Sequence, residues 1–390
     1  MRTAPQRDPH LAFCDAAAQA PLRLLIVADR YGATQEISFV HPLAPWRVVG
    51  AAAIRVVDEP GLERIRAASG DEGVRNFLDR QMKEFQPTAV IISRYNGMDY
   101  ARVLKRARAH GVPVAYHLDD DLFEVPIAVG IDVFQRYRQP SRVHATYRIA
   151  EQADVVYIST PALGHRVKSR LSPRRLIVSD IYVGGDEAAL PSRPADKPAG
   201  EVRIGYMASA GHAFDLELIA PALISVLRDR PNTRLHFFGT ICSSDVVGEF
   251  GDNCVRTGRI RGGYAEFRQT LGRLGWDIGL APLRDNDFNR CKAPTKWVEY
   301  VEAGMAVIAS DMPVYEPLAR KGALEACPDT EWAARLCALI DDPQSRLRLS
   351  QTGRQVMARE FGWRRVEDQV IDLLAALNPA IVASLGAMAS

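Results

Sequence analysis

The chain has 390 residues, 47% of them hydrophobic and 25% charged, with a formal net charge of +2. That length carries two or three domains of ordinary size, and the near-neutral balance gives no general affinity for polyanions. No basic stripe interleaved with aromatics stands out, no run of 18 apolar residues occurs, and the six cysteines form no Cys-x-x-Cys pair, so nucleic-acid binding, a membrane-spanning helix and a structural zinc are not expected.

Residues 1–20 contain Asp8 and Asp15 and lack a long apolar core, so they read as a loose tail and not as a signal peptide. A cytoplasmic protein is expected, with peripheral contact to the inner face of a membrane left open. Leu22–Ala28 is a continuous apolar run, the mark of a buried parallel strand. Trp46–Ala53, Ala89–Ser93 and Val112–His117 read as further strands, and Val74–Phe85 and Tyr100–His110 as helices. GxGxxG is absent after the first strand, so no dinucleotide fingerprint is present.

Asp119, Asp120 and Asp121 stand at the carboxyl end of the strand ending near His117. Three adjacent like charges need solvent or a cation, and strand ends in such sheets line ligand sites. The readings are a general base (Asp119 or Asp120), hydrogen bonds to sugar hydroxyls, or a divalent-metal site; a capped turn is the plain alternative. Arg142–Gln152 reads as a helix, Ala153–Ser159 as a strand, and Thr160 as the cap of a helix whose first residue is Pro161. Leu176–Val178 and Ile181–Val183 close the first domain, taken as 21–185. The Pro-, Gly- and Ala-rich stretch Gly184–Gly200 reads as a linker, placed at 186–200.

The second domain, 201–362, opens on the strand Val202–Met207 and a small-residue loop holding Ser209, Gly211 and His212. Small residues let backbone N–H groups approach a phosphate. Arg234–Gly239 and Asn253–Gly258 read as strands, and Tyr264–Leu274 as a helix. Asp277–Ser310 follows as strand, loop, helix and strand, with Pro294 at the helix start and Gly304 at its stop. Asn289, Arg290, Lys292 and Lys296 crowd the helix entrance, where free N–H groups and the helix dipole already favour an anion. Glu299 lies about 7.5 Å further along the axis at ~1.5 Å per residue, placed to accept from ribose hydroxyls while phosphates sit at the helix start. A solvated helix with Lys–Glu pairs is the plain alternative. Pro313–Lys321, Thr330–Ile340, Pro343–Glu360 and Arg364–Leu377 read as helices. Strand–helix alternation through both halves predicts an α/β chain of two Rossmann-like domains facing across a cleft.

The run KWVEYVEAGMAVIAS resembles the donor segment of the group-1 (family 4-like) glycosyltransferases, which have the two-domain GT-B fold. Glu299, Gly304 and Val307–Ser310 match its glutamate, glycine and apolar strand. The loop Phe288–Lys292 with Lys296, and the triplet Asp119–Asp121, resemble a bacterial subset of that family. Gly205, Ser209, His212, Asp215 and Leu216 match its GxxGSxxHxxDL pattern in type, and Ser159–Pro161 its strand followed by Thr-Pro. Two departures are plain: Cys291 stands where many members carry a second acid, and the loop after Met207 lacks their cations.

The resemblance implies a transferase that moves a sugar from a nucleotide-diphosphate-sugar donor to an unidentified acceptor, a glycan, lipid-linked molecule or protein, in bacterial surface glycan assembly. It implies retention, with no metal, no separate cofactor and no Mg²⁺ dependence; inversion would instead need a carboxylate base on the acceptor side, which Asp119 or Asp120 could supply. Asp119, Asp120, Lys292 and Glu299 would be catalytic. Ser209, Gly211, His212, Arg259, Asn289, Arg290, Lys292, Lys296 and Glu299 would bind the donor, with the loop around Arg259 near the base. A terminal segment, 363–390, would cross back to the first domain. The rival is a catalytically degenerate domain that binds a nucleotide sugar or serves as a scaffold. Oligomeric state is not readable.

Overall fold

A computed structural model describes residues 9–15, 19–180, 197–260 and 262–389. The chain divides into two compact units. Unit 1 comprises residues 1–124, 137–181 and 364–390; unit 2 comprises 125–136 and 182–363. The expected strand Ile181–Val183 and residues 186–196 of the expected linker lie outside the described residues.

Unit 1 carries β1 (Phe13–Cys14), β2 (Leu22–Ala28), β3 (Ala52–Asp58), β4 (Ala89–Ser93), β5 (Val114–Leu118), β6 (Val155–Ile158) and β7 (Leu176–Val178). Their order in the sheet is β1-β3-β2-β4-β5-β6-β7, parallel throughout except for β1, which pairs antiparallel with β3. The β1 pairing corrects the loose tail: Phe13 and Cys14 are bound to the sheet edge opposite Val56 and Arg55. Trp46 is also corrected. It lies in a short helix, Ala44–Val48, and the strand starts only at Ala52. Pro45 explains the shift, since it tolerates the first helical turn and lacks the N–H a ladder needs. The helix expected over Val74–Phe85 is the end of a longer one, Glu59–Arg80, interrupted at Gly70, where φ is +62°, and continued by a π-helical turn, Gln81–Phe85. Thr160 caps Pro161–Arg170 as predicted, its Oγ1 accepting from the Leu163 N–H at 3.1 Å.

Unit 2 carries β8 (Val202–Met207), β9 (Thr233–Phe238), β10 (Cys254–Thr257), β11 (Ile278–Ala281), β12 (Ala306–Ser310) and β13 (Glu325–Cys327). All are parallel, in the order β10-β9-β8-β11-β12-β13. This is the doubly wound order in which sequence direction reverses between β8 and β11, and ligands bind outside the strand carboxyl ends at such a point. β8 and β11 pair only at Ile204–Ile278 and Gly205–Gly279. Beyond that the strands part, and the buried Tyr300 hydroxyl fills the gap, accepting from the Met207 N–H at 2.8 Å and donating to the Leu280 carbonyl at 3.0 Å. The glycines at the pairing are steric requirements. A Cβ on Gly279 would lie 2.6 Å from the Tyr300 ring, and one on Gly205 would overlap the Trp276 ring.

Behind this edge the core is aliphatic and aromatic, with Ile204, Tyr206, Leu216, Leu235, Phe237, Leu280, Ile308 and Trp332 all buried. The helix Trp363–Leu377 groups with unit 1 from Arg364 onward, and Gln369 accepts a hydrogen bond from Ser179 at 2.8 Å. A further helix, Pro379–Ala389, follows it. Among the described residues, no single helix is long and apolar enough to cross a membrane.

Candidate functional site

In unit 2 the loops after β8 and β11 meet at the switch point. The first forms a turn of 3-10 helix, Ala210–His212, leading into the helix Ala213–Glu217. The second carries a short helix, Asp287–Arg290, capped by the Asn286 side chain, and then the helix Thr295–Glu302 behind Pro294. Pro294 is therefore the residue before the helix and not its first residue. The short helix went unpredicted because DFNR has no apolar period to announce it.

The two loops are joined by one chain of hydrogen bonds. Lys296 Nζ lies 3.1 Å from His212 Nε2, and His212 Nδ1 lies 2.8 Å from Asp215 Oδ2. The other oxygen of Asp215 accepts from the Arg284 N–H at 2.9 Å and from the Asn289 side-chain amide at 3.1 Å. Asn289 also donates to the Arg284 carbonyl at 2.9 Å. Asp215 and Asn289 are buried. Burial, with the charges of Lys296 and Lys292, pushes the His212 pKa down to about 4, so the imidazole is neutral at physiological pH. Burial raises Asp215, but its bonds to His212 and Arg284 outweigh that and hold it below the ordinary carboxylate range.

The cations divide into two groups. Lys292 Nζ sits 4.7 Å over the Phe288 ring, and Lys296 Nζ 5.9 Å over the Tyr206 ring, so both ammonium groups are steered by aromatic faces at this end of the sheet. Arg290 instead makes a two-pronged ion pair with Asp285 at 2.6 and 2.7 Å, both half-exposed. Arg259 is exposed beyond β10, in a loop whose next residue but one, 261, lies outside the described residues. Ser209 is exposed, and the backbone N–H of Ala210 donates to Thr240 Oγ1 at 2.9 Å. At Gly211 a Cβ would lie 2.9 Å from the Val129 carbonyl of the same unit, so the loop has no room for a side chain there.

Glu299 is 8% exposed. Tyr264 donates its hydroxyl to Glu299 Oε1 at 3.1 Å, and burial pushes the acid up to about 7, against the lowering effect of Tyr264, Lys296 and Arg268. Cys291 is buried. Asp215 and Tyr264 were not among the expected site residues. The i, i+3 spacing of His212 and Asp215 was a usable signal for the first; nothing in the sequence links Tyr264 to a residue 35 positions later.

In unit 1 the carboxyl ends of β2, β4 and β5 bring Asp29, Arg94 and Asp119 together. Arg94 pairs with Asp119, with Asp120 at 2.9 Å and with Asp29 at 3.6 Å. Thr34 Oγ1 donates to Asp119 Oδ2 at 2.9 Å, and Tyr137 donates to Asp29 at 2.9 Å. Asp121 is fully buried and turns the other way, to Arg166 at 2.9 Å and Arg170 at 3.7 Å. The triplet is thus split, and arginines supply the countercharge its spacing demanded. Among the described residues, no group of three His, Cys, Asp or Glu side chains is placed to hold a metal ion. Nearby, buried His117 shares a hydrogen bond with Ser93 at 3.0 Å, and burial pushes its pKa down to about 4.

No family model matches the chain, and no curated protein matches it in sequence. Its fold does match solved structures. HepE of Anabaena, solved in complex with UDP and glucose, aligns over 91% of this chain and 100% of its own, with a TM-score of 0.65 at 13% identity. Sucrose-phosphate synthase of Thermosynechococcus elongatus aligns over 92% and 100%, with a TM-score of 0.63 at 12% identity. TarM of S. aureus aligns over 77% of this chain at a TM-score of 0.56 and 8% identity, and this chain spans 59% of TarM. At these identities the likeness establishes the fold: two Rossmann-like domains of the GT-B kind.

Proposed function

We propose that this chain is a glycosyltransferase whose unit 2 holds a nucleotide-diphosphate-sugar donor. The observation that carries the reading is the convergence of Lys296, Lys292 and buried Glu299 on the loops at the β8/β11 switch point, where a doubly wound sheet takes its ligand. The GT-B fold supports it, as does the UDP held by HepE.

The chemistry follows from charge. As the bond between the anomeric carbon and the phosphate oxygen breaks, negative charge grows on the leaving diphosphate. Lys292, Lys296 and the amino end of Thr295–Glu302 face that charge with fixed positive groups and spare it a metal ion. Glu299, with one oxygen taken by Tyr264, has the other for a ribose hydroxyl. In the retaining course, the acceptor oxygen bonds to the anomeric carbon on the face the diphosphate leaves, and its proton passes to the departing phosphate oxygen. Asp119 and Asp120 fit acceptor hydroxyls, since Arg94 holds them as an ordered pair of acceptors. The acceptor we have in view is a glycan, lipid-linked carrier or protein of bacterial surface glycan assembly, a reading supported by the resemblance to bacterial sequences. A binding-only domain is the second reading, favoured by two observations: a buried Cys291 stands where many members of the resembled family carry an acid, and Arg290 is tied to Asp285.

The test is a thermal-shift series of the full chain against nucleoside diphosphates and sugar nucleotides, with and without EDTA. Selective stabilisation by one base, unchanged by EDTA and lost in Lys292→Ala, supports the donor site. No shift with any member overturns it. Slow donor hydrolysis by the binding-competent protein separates the enzyme from the binding-only domain, and NMR of the product anomer tests retention.

A further inference from the structure

We propose that Asp215 is a positioning residue for Lys296, acting through a neutral His212 whose proton sits on Nδ1. The assignment follows from what each partner can do. An ionised carboxylate only accepts hydrogen bonds and an ammonium only donates them. His212 Nδ1 faces a carboxylate oxygen at 2.8 Å, so Nδ1 carries the hydrogen. His212 Nε2 faces Lys296 Nζ at 3.1 Å, so Nε2 presents its lone pair and the lysine keeps the proton. The imidazole is thereby an oriented acceptor for a cation.

Asp215 can dictate the tautomer because it is itself locked. It is buried, and its second oxygen is fixed by the Arg284 backbone and the Asn289 amide. Asn289 is held in turn by the Arg284 carbonyl. The series Asn289–Asp215–His212–Lys296 therefore ties the loop after β11 to the loop after β8 and sets the direction of one ammonium. That Lys296 meets the donor's diphosphate rests on the function proposed above; the tautomer and the coupling do not.

Two measurements on the full chain test this. Long-range ¹H–¹⁵N correlation on ¹⁵N-histidine-labelled protein, with His212 assigned by its loss in His212→Gln, should show a neutral, Nδ1-protonated ring at neutral pH. An Nε2-protonated ring or an imidazolium overturns the proposal. Calorimetry with UDP should then show Asp215→Asn weakening binding about tenfold, roughly 1.4 kcal/mol, because an amide N–H turned to Nδ1 drives the hydrogen onto Nε2. In a Lys296→Gln background the same change should cost less than about twofold, since its target is gone. Full additivity overturns the positioning role.

If Asp215→Asn does not fold, His212→Gln and His212→Leu carry the test. Gln can donate to Asp215 and accept from Lys296, so it should keep affinity within about threefold while Leu loses about tenfold. Equal losses overturn the proposal. If the wild-type chain binds no nucleoside diphosphate, the donor reading fails, and the ring tautomer in wild type and Asp215→Asn alone decides the assignment.

Discussion

Tyr264 donates its hydroxyl hydrogen to the buried carboxyl of Glu299, 3.1 Å away and 35 residues later in the chain. Burial raises this acid to about 7, well above its ordinary value, so the folded protein holds the proton more tightly than the unfolded chain does. The stability this contributes is complete at acid pH, below the unfolded value, and is lost as pH rises through about 7. The melting temperature of wild type relative to Glu299→Gln should therefore fall between weakly acidic and weakly alkaline buffer. A difference independent of pH would mean that Glu299 is not the buried acid described. Tyr264→Phe removes a bond that lowers the acid, so the titration should move upward and about 1–3 kcal/mol of stability should go with it.

The lysines and Arg290 should separate. Lys292→Ala and Lys296→Ala each remove an ammonium from the switch point and should weaken UDP binding about tenfold, more at low salt than at high. Arg290 is spent on Asp285 at the surface, so Arg290→Ala should change affinity less than about threefold. Titration calorimetry at two ionic strengths checks all three. A large Arg290 effect would show that the Asp285 pair opens when the donor arrives.

Much of this was legible in the sequence, and the rest was not for identifiable reasons. Apolar runs such as Leu22–Ala28 and Ala306–Ser310 became strands residue for residue, because strands buried on both faces leave nothing else to read. The two-residue β1 is too short for any period, and Trp46 was drawn into a strand by composition alone. At the site, spacing brought Lys296 and Glu299 onto one helix but said nothing of Tyr264, which arrives from another. The same holds for the acids: that Asp119–Asp121 need countercharge follows from their adjacency. That Arg94 and Arg166 provide it is a tertiary fact, set by neighbouring strand ends and by a helix packed beside them.

Arg94 is a guanidinium that three carboxylates share. Asp29, Asp119 and Asp120 are each at most one-fifth exposed, and all lie within ion-pair distance of its guanidinium. Arg94→Ala should cost roughly 3 kcal/mol, as expected when one partner is removed from a largely desolvated ion-pair cluster. Mild acid should restore part of the loss, because protonating the acids removes their repulsion. Denaturant titrations at neutral and weakly acidic pH check this. If added Mg²⁺ rescued wild-type activity after EDTA, a metal and not Arg94 would be the working countercharge of the triplet.

Tyr300→Phe should report on the switch point itself. β8 and β11 stop pairing at Gly205 and Gly279, and the Tyr300 hydroxyl takes over, bridging the Met207 N–H and the Leu280 carbonyl. Phenylalanine fills the same space without the hydroxyl, so a buried N–H loses its acceptor and the loss should be about 1–3 kcal/mol. Gly279→Ala should cost more than Tyr300→Phe, because its methyl would press to 2.6 Å of the Tyr300 ring in a packed core. The loops that carry His212 and Lys296 spring from these two strand ends. Parting them should therefore weaken UDP binding as well as stability, although neither Tyr300 nor Gly279 meets the proposed donor. A Tyr300→Phe protein that loses stability but keeps full UDP affinity would show that the loops hold their geometry without the bridge, through the Asn289–Asp215–His212–Lys296 chain alone.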